Sequence, residues 1–213
     1  MAWFGYNGNV ETRLAGKEQI IYLLYIYKMK YFPKISRGKV YLSPIDLEDS
    51  ETFVKRSNDS RITDWTHWTP RMVSLQSGKS YLEGISKNWE YEFAIVRKSD
   101  DKFIWVTWLY HIKHINQTAE LWIMIWEIDE HNKWYGTDAV NALLSFAFNT
   151  LNLYNISLWV KTFNKKGIWC YKKVWFQEVW MKHHCEYCNG EWYDLILMEI
   201  LRPDWQEKNK YFN

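Results

Sequence analysis

The sequence predicts an α/β protein of the α+β kind, a sheet flanked by helices, and three observations carry that prediction. The first is a strand–turn–helix unit at the centre of the chain. Residues Ala119 to Trp126 are β-branched and aromatic, Glu127 to Thr137 form a polar turn, and Asp138 to Leu151 carry apolar residues at 139, 140, 143, 144, 146, 147 and 151, which is a helical spacing. The second is a regular succession of short strand-like and helix-like stretches from Gly38 to Leu201, without internal repeat or low-complexity linker. The third is Asn189-Gly190 between two alternating runs; both residues tolerate positive φ, a strong hairpin signal.

Taken in order, Lys39 to Ile45 alternates like a half-buried strand, and Asp46 to Ser57 reads as a helix with acidic residues in its first turns, where the helix dipole favours them. Arg61 to Pro70 is a loop. Ser74 can cap a helix that runs to about Trp89. Glu92 to Arg97 and Lys102 to Ile112 are strands joined across Ser99-Asp100-Asp101, and Lys113 to Gln117 turns into the central strand. After the central helix come a strand at Asn155 to Lys161, a short helix at Lys165 to Lys173, and the hairpin strands Gln177 to Cys188 and Glu191 to Leu201.

At 213 residues, 47% hydrophobic and 24% charged, the chain is one ordinary globular domain with room for an appendage. A net charge of +2 gives no basic field, so nucleic acid is not an expected partner. Three cysteines do not make a disulfide framework and fit a reducing cytoplasm. The apolar run Ile20 to Tyr27 falls well short of the roughly 20 residues a membrane span needs. Glu11 and Glu18 before it, and the lack of a small-residue cleavage site after it, argue against a signal peptide. Residues 1–28 are expected to be an upstream extension before Met29-Lys30-Tyr31-Phe32, or else a short helix packed on the domain.

The central turn feeds a helix N-terminus, where unpaired N–H groups and the helix dipole favour a phosphate. Ala119-Glu120-Leu121 followed by Asn132-Lys133-Trp134-Tyr135-Gly136-Thr137 resembles the acetyl-CoA pyrophosphate loop of the GNAT superfamily of N-acetyltransferases. Phe163 to Phe176, with Asn164, Tyr171-Lys172-Lys173 and Trp175-Phe176, resembles that superfamily's next signature. The resemblance implies the GNAT acyl-CoA N-acyltransferase fold, with a mixed, mostly antiparallel central sheet, over residues 38–203. Residues 1–37 would precede it as an extension and 204–213 would follow as a tail.

Within the superfamily the chain looks most similar to the branch that acetylates N-termini of ribosomal proteins. The implied activity is transfer of acetyl from acetyl-CoA to a primary amine, of a protein N-terminus or a small molecule, by a monomer or homodimer without a metal. A non-catalytic acyl-CoA-binding module of the same fold is the alternative.

The resemblance also implies roles. Backbone amides of Asn132, Lys133, Trp134, Tyr135, Gly136 and Thr137 would hold the pyrophosphate; those of Ile123, Met124 and Ile125 would face the thioester oxygen; and Asn164 would meet the pantetheine arm. Tyr171 would protonate the leaving thiolate, since a phenol near pKa 10 can do so, or would only pack the cofactor. Two carboxylates compete for the base: Glu186, ranked first, and Glu120 on the central strand. Each is otherwise a solvated strand carboxylate. His183-His184-Cys185 with Cys188 offers soft ligands, but strand alternation turns 185 and 188 to opposite faces, so no metal is expected.

Tryptophan stands at 105, 108, 122, 126, 134, 175 and 180 where the resemblance leads one to expect glycine. With 9 Gly and 15 Trp in 213 residues, glycine is scarce against the usual roughly 7%. The pattern predicts a genetic code in which UGA specifies glycine; a native Trp-rich protein is the other reading. Seven indoles at such places are expected to overfill the fold.

Overall fold

The structure is a computed structural model and describes residues 30–63, 72–88, 91–123, 135–188 and 190–210. The chain divides into two units, Met1–Lys30 and Tyr31–Asn213, and the sheet and its helices belong to the second. Of the expected loop Arg61 to Pro70, Arg61 to Thr63 are instead helical, and residues 64–70, like residues 1–28, the turn 124–134 and Asn189, lie outside the described residues.

The described strands form one sheet. They are β1 (Ile35–Arg37), β2 (Val40–Ser43), β3 (Tyr91–Arg97), β4 (Lys102–Lys113), β5 (Thr118–Ile123), β6 (Asn155–Lys161), β7 (Gln177–Cys188) and β8 (Glu191–Leu201), in the spatial order β1-β2-β3-β4-β5-β6-β8-β7. Every neighbouring pair is antiparallel except β5–β6, which is parallel. The helices are α1 (Ser50–Ser57), α2 (Ser60–Thr63), α3 (Leu75–Asn88), α4 (Tyr135–Ser145), α5 (Lys165–Lys173) and α6 (Arg202–Asn209). Among the described residues no helix is long and apolar enough to cross a membrane.

Alternation along the strands builds two cores. Ile104, Leu109, Ala119, Leu121, Ile156, Leu158, Val160, Ile196, Met198 and Ile200 face α4 and α5, together with Ala139, Val140, Leu143 and Tyr171. On the other side of the sheet, Tyr41, Ala94, Val96 and Val106 pack with Phe53 of α1 and Leu82 of α3. Burial at this density supplies most of the stabilisation, at about 25 cal/mol per Å² of apolar surface.

Local chemistry explains several boundaries. Ser74 accepts a hydrogen bond from Ser77 N at 3.1 Å and caps α3. The stretch Asp46 to Ser57 is a 3-10 turn, Leu47–Asp49, running into α1, with Asp46 accepting from Glu48 N at 2.8 Å. The expected single central helix is α4 followed by a wider π turn, Phe146–Thr150. Two elements extend the domain beyond the expected limits. β1 pairs with β2 upstream of Gly38, and α6 occupies most of the expected tail, with Pro203 in its first turn and Trp205 buried beside Phe148.

At 108, 122, 175 and 180 the indoles are accommodated rather than overfilling the fold, and the side chain of Trp105 lies outside the described residues. Trp108 and Trp122 stack directly opposite each other at 3.7 Å on the second core. Trp175 and Trp180 are 42% and 58% exposed, so solvent takes up their bulk. Trp126 and Trp134 lie outside the described residues. Trp175 differs in another way: its φ is +76°, the one positive φ among the described members of the set.

Candidate active site

Three described features converge on the centre of the sheet. The first is the start of α4. Asp138, in its first turn, accepts from Lys39 N at 2.9 Å, which ties the β1–β2 turn to the helix. Gly38 at the turn has φ +47°, and a Cβ there would collide with the Asp138 carboxylate, so glycine is required both by conformation and by space. Burial holds the Asp138 carboxyl above the ordinary carboxylate range, against the Lys39 N–H, which lowers it. Of the six residues expected to cradle a pyrophosphate, Tyr135, Gly136 and Thr137 open α4; Asn132, Lys133 and Trp134 lie outside the described residues. Tyr135 is buried in the first core, and Thr137 Oγ1 lies 3.7 Å from Cys170 Sγ on α5, so the beginnings of α4 and the body of α5 are in contact.

The second feature is α5. Asn164 caps it, its side-chain oxygen accepting from Gly167 N at 2.9 Å. At the other end Trp175 N donates to Lys172 O and Phe176 N to Tyr171 O, each at 3.1 Å. These are the paired bonds of a Schellman stop, with Trp175 at the left-handed position that glycine usually fills. Tyr171 is 9% exposed in the first core, its ring 6.0 Å from that of Phe176. Burial, and then the neighbouring Cys170 and Tyr110, push its hydroxyl well above the usual phenol range, so it keeps its proton at neutral pH and can act only as a donor of it.

The third feature is a wedge between the two parallel strands. β5 and β6 pair through Thr118↔Asn155, Ala119↔Ile156 and Glu120↔Ser157, and there the ladder stops, although β5 continues to Ile123 and β6 to Lys161. Beyond Glu120 the strands part, while β5 stays joined to β4 as far as Thr107↔Ile123. The facing edges of Leu121 to Ile123 and Leu158 to Lys161 therefore lack each other's hydrogen bonds. Ile123 is the last described residue of β5; Met124 and Ile125 lie outside the described residues.

Glu120 stands at the mouth of the wedge, on the face opposite α4 and α5. Its Oε1 is 2.9 Å from His111 Nδ1, and the Tyr110 hydroxyl is bonded to the same carboxylate, which together with burial raises that phenol's pKa. His111 reaches Glu120 from an irregularity in β4 where its φ is +50°. Sequence reasoning missed Tyr110 and His111; only their register opposite Glu120 marks them. Glu186 is elsewhere. It sits toward the hairpin end of β7, opposite Tyr193, with Lys161 Nζ 3.8 Å from its Oε2. His183 and the His184 N–H are engaged by Asp194, at 3.2 and 2.8 Å.

The sequence and the fold resemble those of known proteins. Residues 39–177 match the model of the acetyltransferase (GNAT) domain family. The chain is 25% identical over 175 residues to spermidine N(1)-acetyltransferase of Escherichia coli K12, covering 82% of this chain and 92% of that protein. It is 30% identical over 180 residues to the probable N-acetyltransferase YjcK of Bacillus subtilis 168, covering 79% and 97%. Its fold is similar, with TM-score 0.70 and 22% identity over 79% of this chain and 98% of the other, to spermidine N-acetyltransferase of Vibrio cholerae in complex with CoA and spermine. These relatives do not single out the ribosomal-protein branch.

Proposed function

Since the chain belongs to the acetyltransferase (GNAT) family and is thereby an N-acetyltransferase, we propose that its acceptor is a small aliphatic polyamine, with Glu120 as the base and Tyr171 as the acid. The observation that carries the reading is the end of the β5–β6 ladder at Glu120 and Ser157. It leaves an opening with Glu120 at its mouth on one face of the sheet, while Tyr171 is buried in the core on the other face. An extended pantetheine arm can take up the unpaired edges of the wedge from the α4–α5 side, with Asn164 and the first turn of α4 nearby, so that the thioester lies between the two groups. Names of relatives that act on spermidine favour a small amine over a protein N-terminus.

In this reading Glu120 takes a proton from the acceptor ammonium, directly or through water, and the freed amine attacks the thioester carbonyl carbon. The N–C bond forms and the carbonyl electron pair moves to oxygen. As it returns, the C–S bond breaks and Tyr171 gives its proton to the departing thiolate, while the nitrogen, cationic after attack, gives up its second proton through water to restore the phenol, so that the net proton released is the one held by Glu120. Tyr110 and His111 would hold Glu120 in place. This order of the two carboxylates reverses the ranking drawn from sequence, because Glu186 already has Lys161 as a partner while neither lysine nor arginine is paired with Glu120 among the described residues. The test is thiol release from acetyl-CoA with spermidine beside a peptide bearing a free N-terminus. Turnover of spermidine is expected to dominate; faster turnover of the peptide would overturn the choice of acceptor.

A further inference from the structure

We propose that Glu199 is a specificity-determining residue that receives a second, non-reacting ammonium of the acceptor, so that the enzyme prefers amines carrying two or more positive charges. The inference rests on the polyamine acceptor proposed for this site. Glu120 lies directly opposite Ser157 of β6, and Ser157 lies directly opposite Glu199 of β8. Residues directly opposite on neighbouring strands share a face, so the three form one row across the sheet, on the side away from α4 and α5. Ile156, Leu158, Met198 and Ile200, which alternate with them, all face the first core. Two strand spacings separate Glu120 from Glu199, about 10 Å between backbones. An extended aliphatic triamine, advancing roughly 1.2 to 1.3 Å per staggered bond, spans about the same length.

Charge supports the same assignment. Glu178 and Glu186 on β7 already have cations, Lys172 at 2.7 Å and Lys161 at 3.8 Å. Among the described residues no lysine or arginine is paired with Glu120 or with Glu199. The hydrogen-bond partner of Glu199 there is Asn155 Nδ2, at 3.0 Å, a neutral group that orients the carboxylate without cancelling its charge. A half-buried carboxylate in this condition favours a cationic ligand. With the reacting nitrogen at Glu120, the next charged nitrogens of a triamine run over Ser157 toward Glu199, whereas a monoamine cannot reach it.

The experiment is steady-state kinetics of the whole chain and its Glu199→Gln variant with spermidine and with propylamine, alongside acetyl-CoA binding as a check on folding. The expected result is a KM for spermidine raised about tenfold in the variant, a typical loss for one charged contact. Its kcat should stay within about twofold, the KM for propylamine should be unchanged, and Glu199→Asp should recover part of the loss. An unchanged spermidine KM, or an equal rise for both amines, would overturn the role of Glu199. If the wild type acetylates neither amine, the acceptor reading itself fails and this inference with it. A variant that loses acetyl-CoA binding would assign Glu199 a structural role and equally overturn the proposal.

Discussion

Replacing Trp175 by glycine and, separately, by alanine isolates what the backbone asks for at the end of α5. Both changes remove the indole, which is 58% covered (the complement of its 42% exposure) and lies under the Lys208 ammonium at 5.0 Å, so both lose the same packing and the same cation–π contact. They differ in the cost of φ +76°. A side chain with a Cβ pays on the order of 1 kcal/mol there, while glycine does not. In an ordinary helical setting the order is opposite, alanine being better by about 0.5–1 kcal/mol. The glycine variant is therefore expected to be the more stable of the two by about 1 kcal/mol. For a domain of this size that is a difference of roughly 2–4 °C in Tm, readable in urea and thermal melts run side by side. Equal stabilities, or alanine ahead, would refute the argument. The same site is the strongest structural support for glycine decoding of UGA. Trp105, Trp108, Trp122 and Trp180 sit in strands without positive φ, so a UGA codon is expected first of all at 175, and UGG there would end the idea.

Tyr171→Phe should lower kcat with little change in acetyl-CoA affinity, because its hydroxyl matters when charge builds on sulfur; an unchanged rate would remove it as the acid. Glu120→Gln should reduce turnover by about 10²-fold or more, whereas Glu186→Gln should leave it within about twofold; the opposite result would return the base to β7. Gly38→Ala should destabilise the protein by about 2 kcal/mol or more, since it adds a left-handed strain and a collision with Asp138, and a Tm equal to wild type would refute the role of that turn.

Much of the fold was legible because four consecutive elements carry strong local signals. β6, α5, β7 and β8 begin and end at the residues expected, where the period changes cleanly from 2 to 3.6 and Asn164 supplies a cap. α6 was missed because Trp205 and Asn209 are its buried residues and its polar face reads as a tail; Pro203 was the available signal. β1 was missed because three residues show no period. Of the candidate site proposed here, Tyr171 and Glu120 were already named from the sequence, whereas their arrangement was illegible there. The row Glu120, Ser157, Glu199 exists only through register between strands far apart in sequence, and along β8 the Glu199 carboxylate looks like any solvated position. The proposed order of Glu120 and Glu186 rests on Lys161, which no local pattern links to Glu186.

The short ladder between β5 and β6 has a thermodynamic meaning as well as a chemical one. Among the described residues, three residue pairs are the only strand pairing between the half-sheet β1–β5 and the half-sheet β6–β8, so the line of weakest joining in the sheet coincides with the line along which the cofactor would lie. A molecule bound there acts as mortar between two halves, and its binding free energy is added to the work of pulling them apart. At a hundredfold excess over Kd that is about 2.7 kcal/mol. With the cofactor in the proposed place, the folded enzyme would be most cohesive when charged with its acyl donor and would loosen along the same seam each time the spent thiol departs.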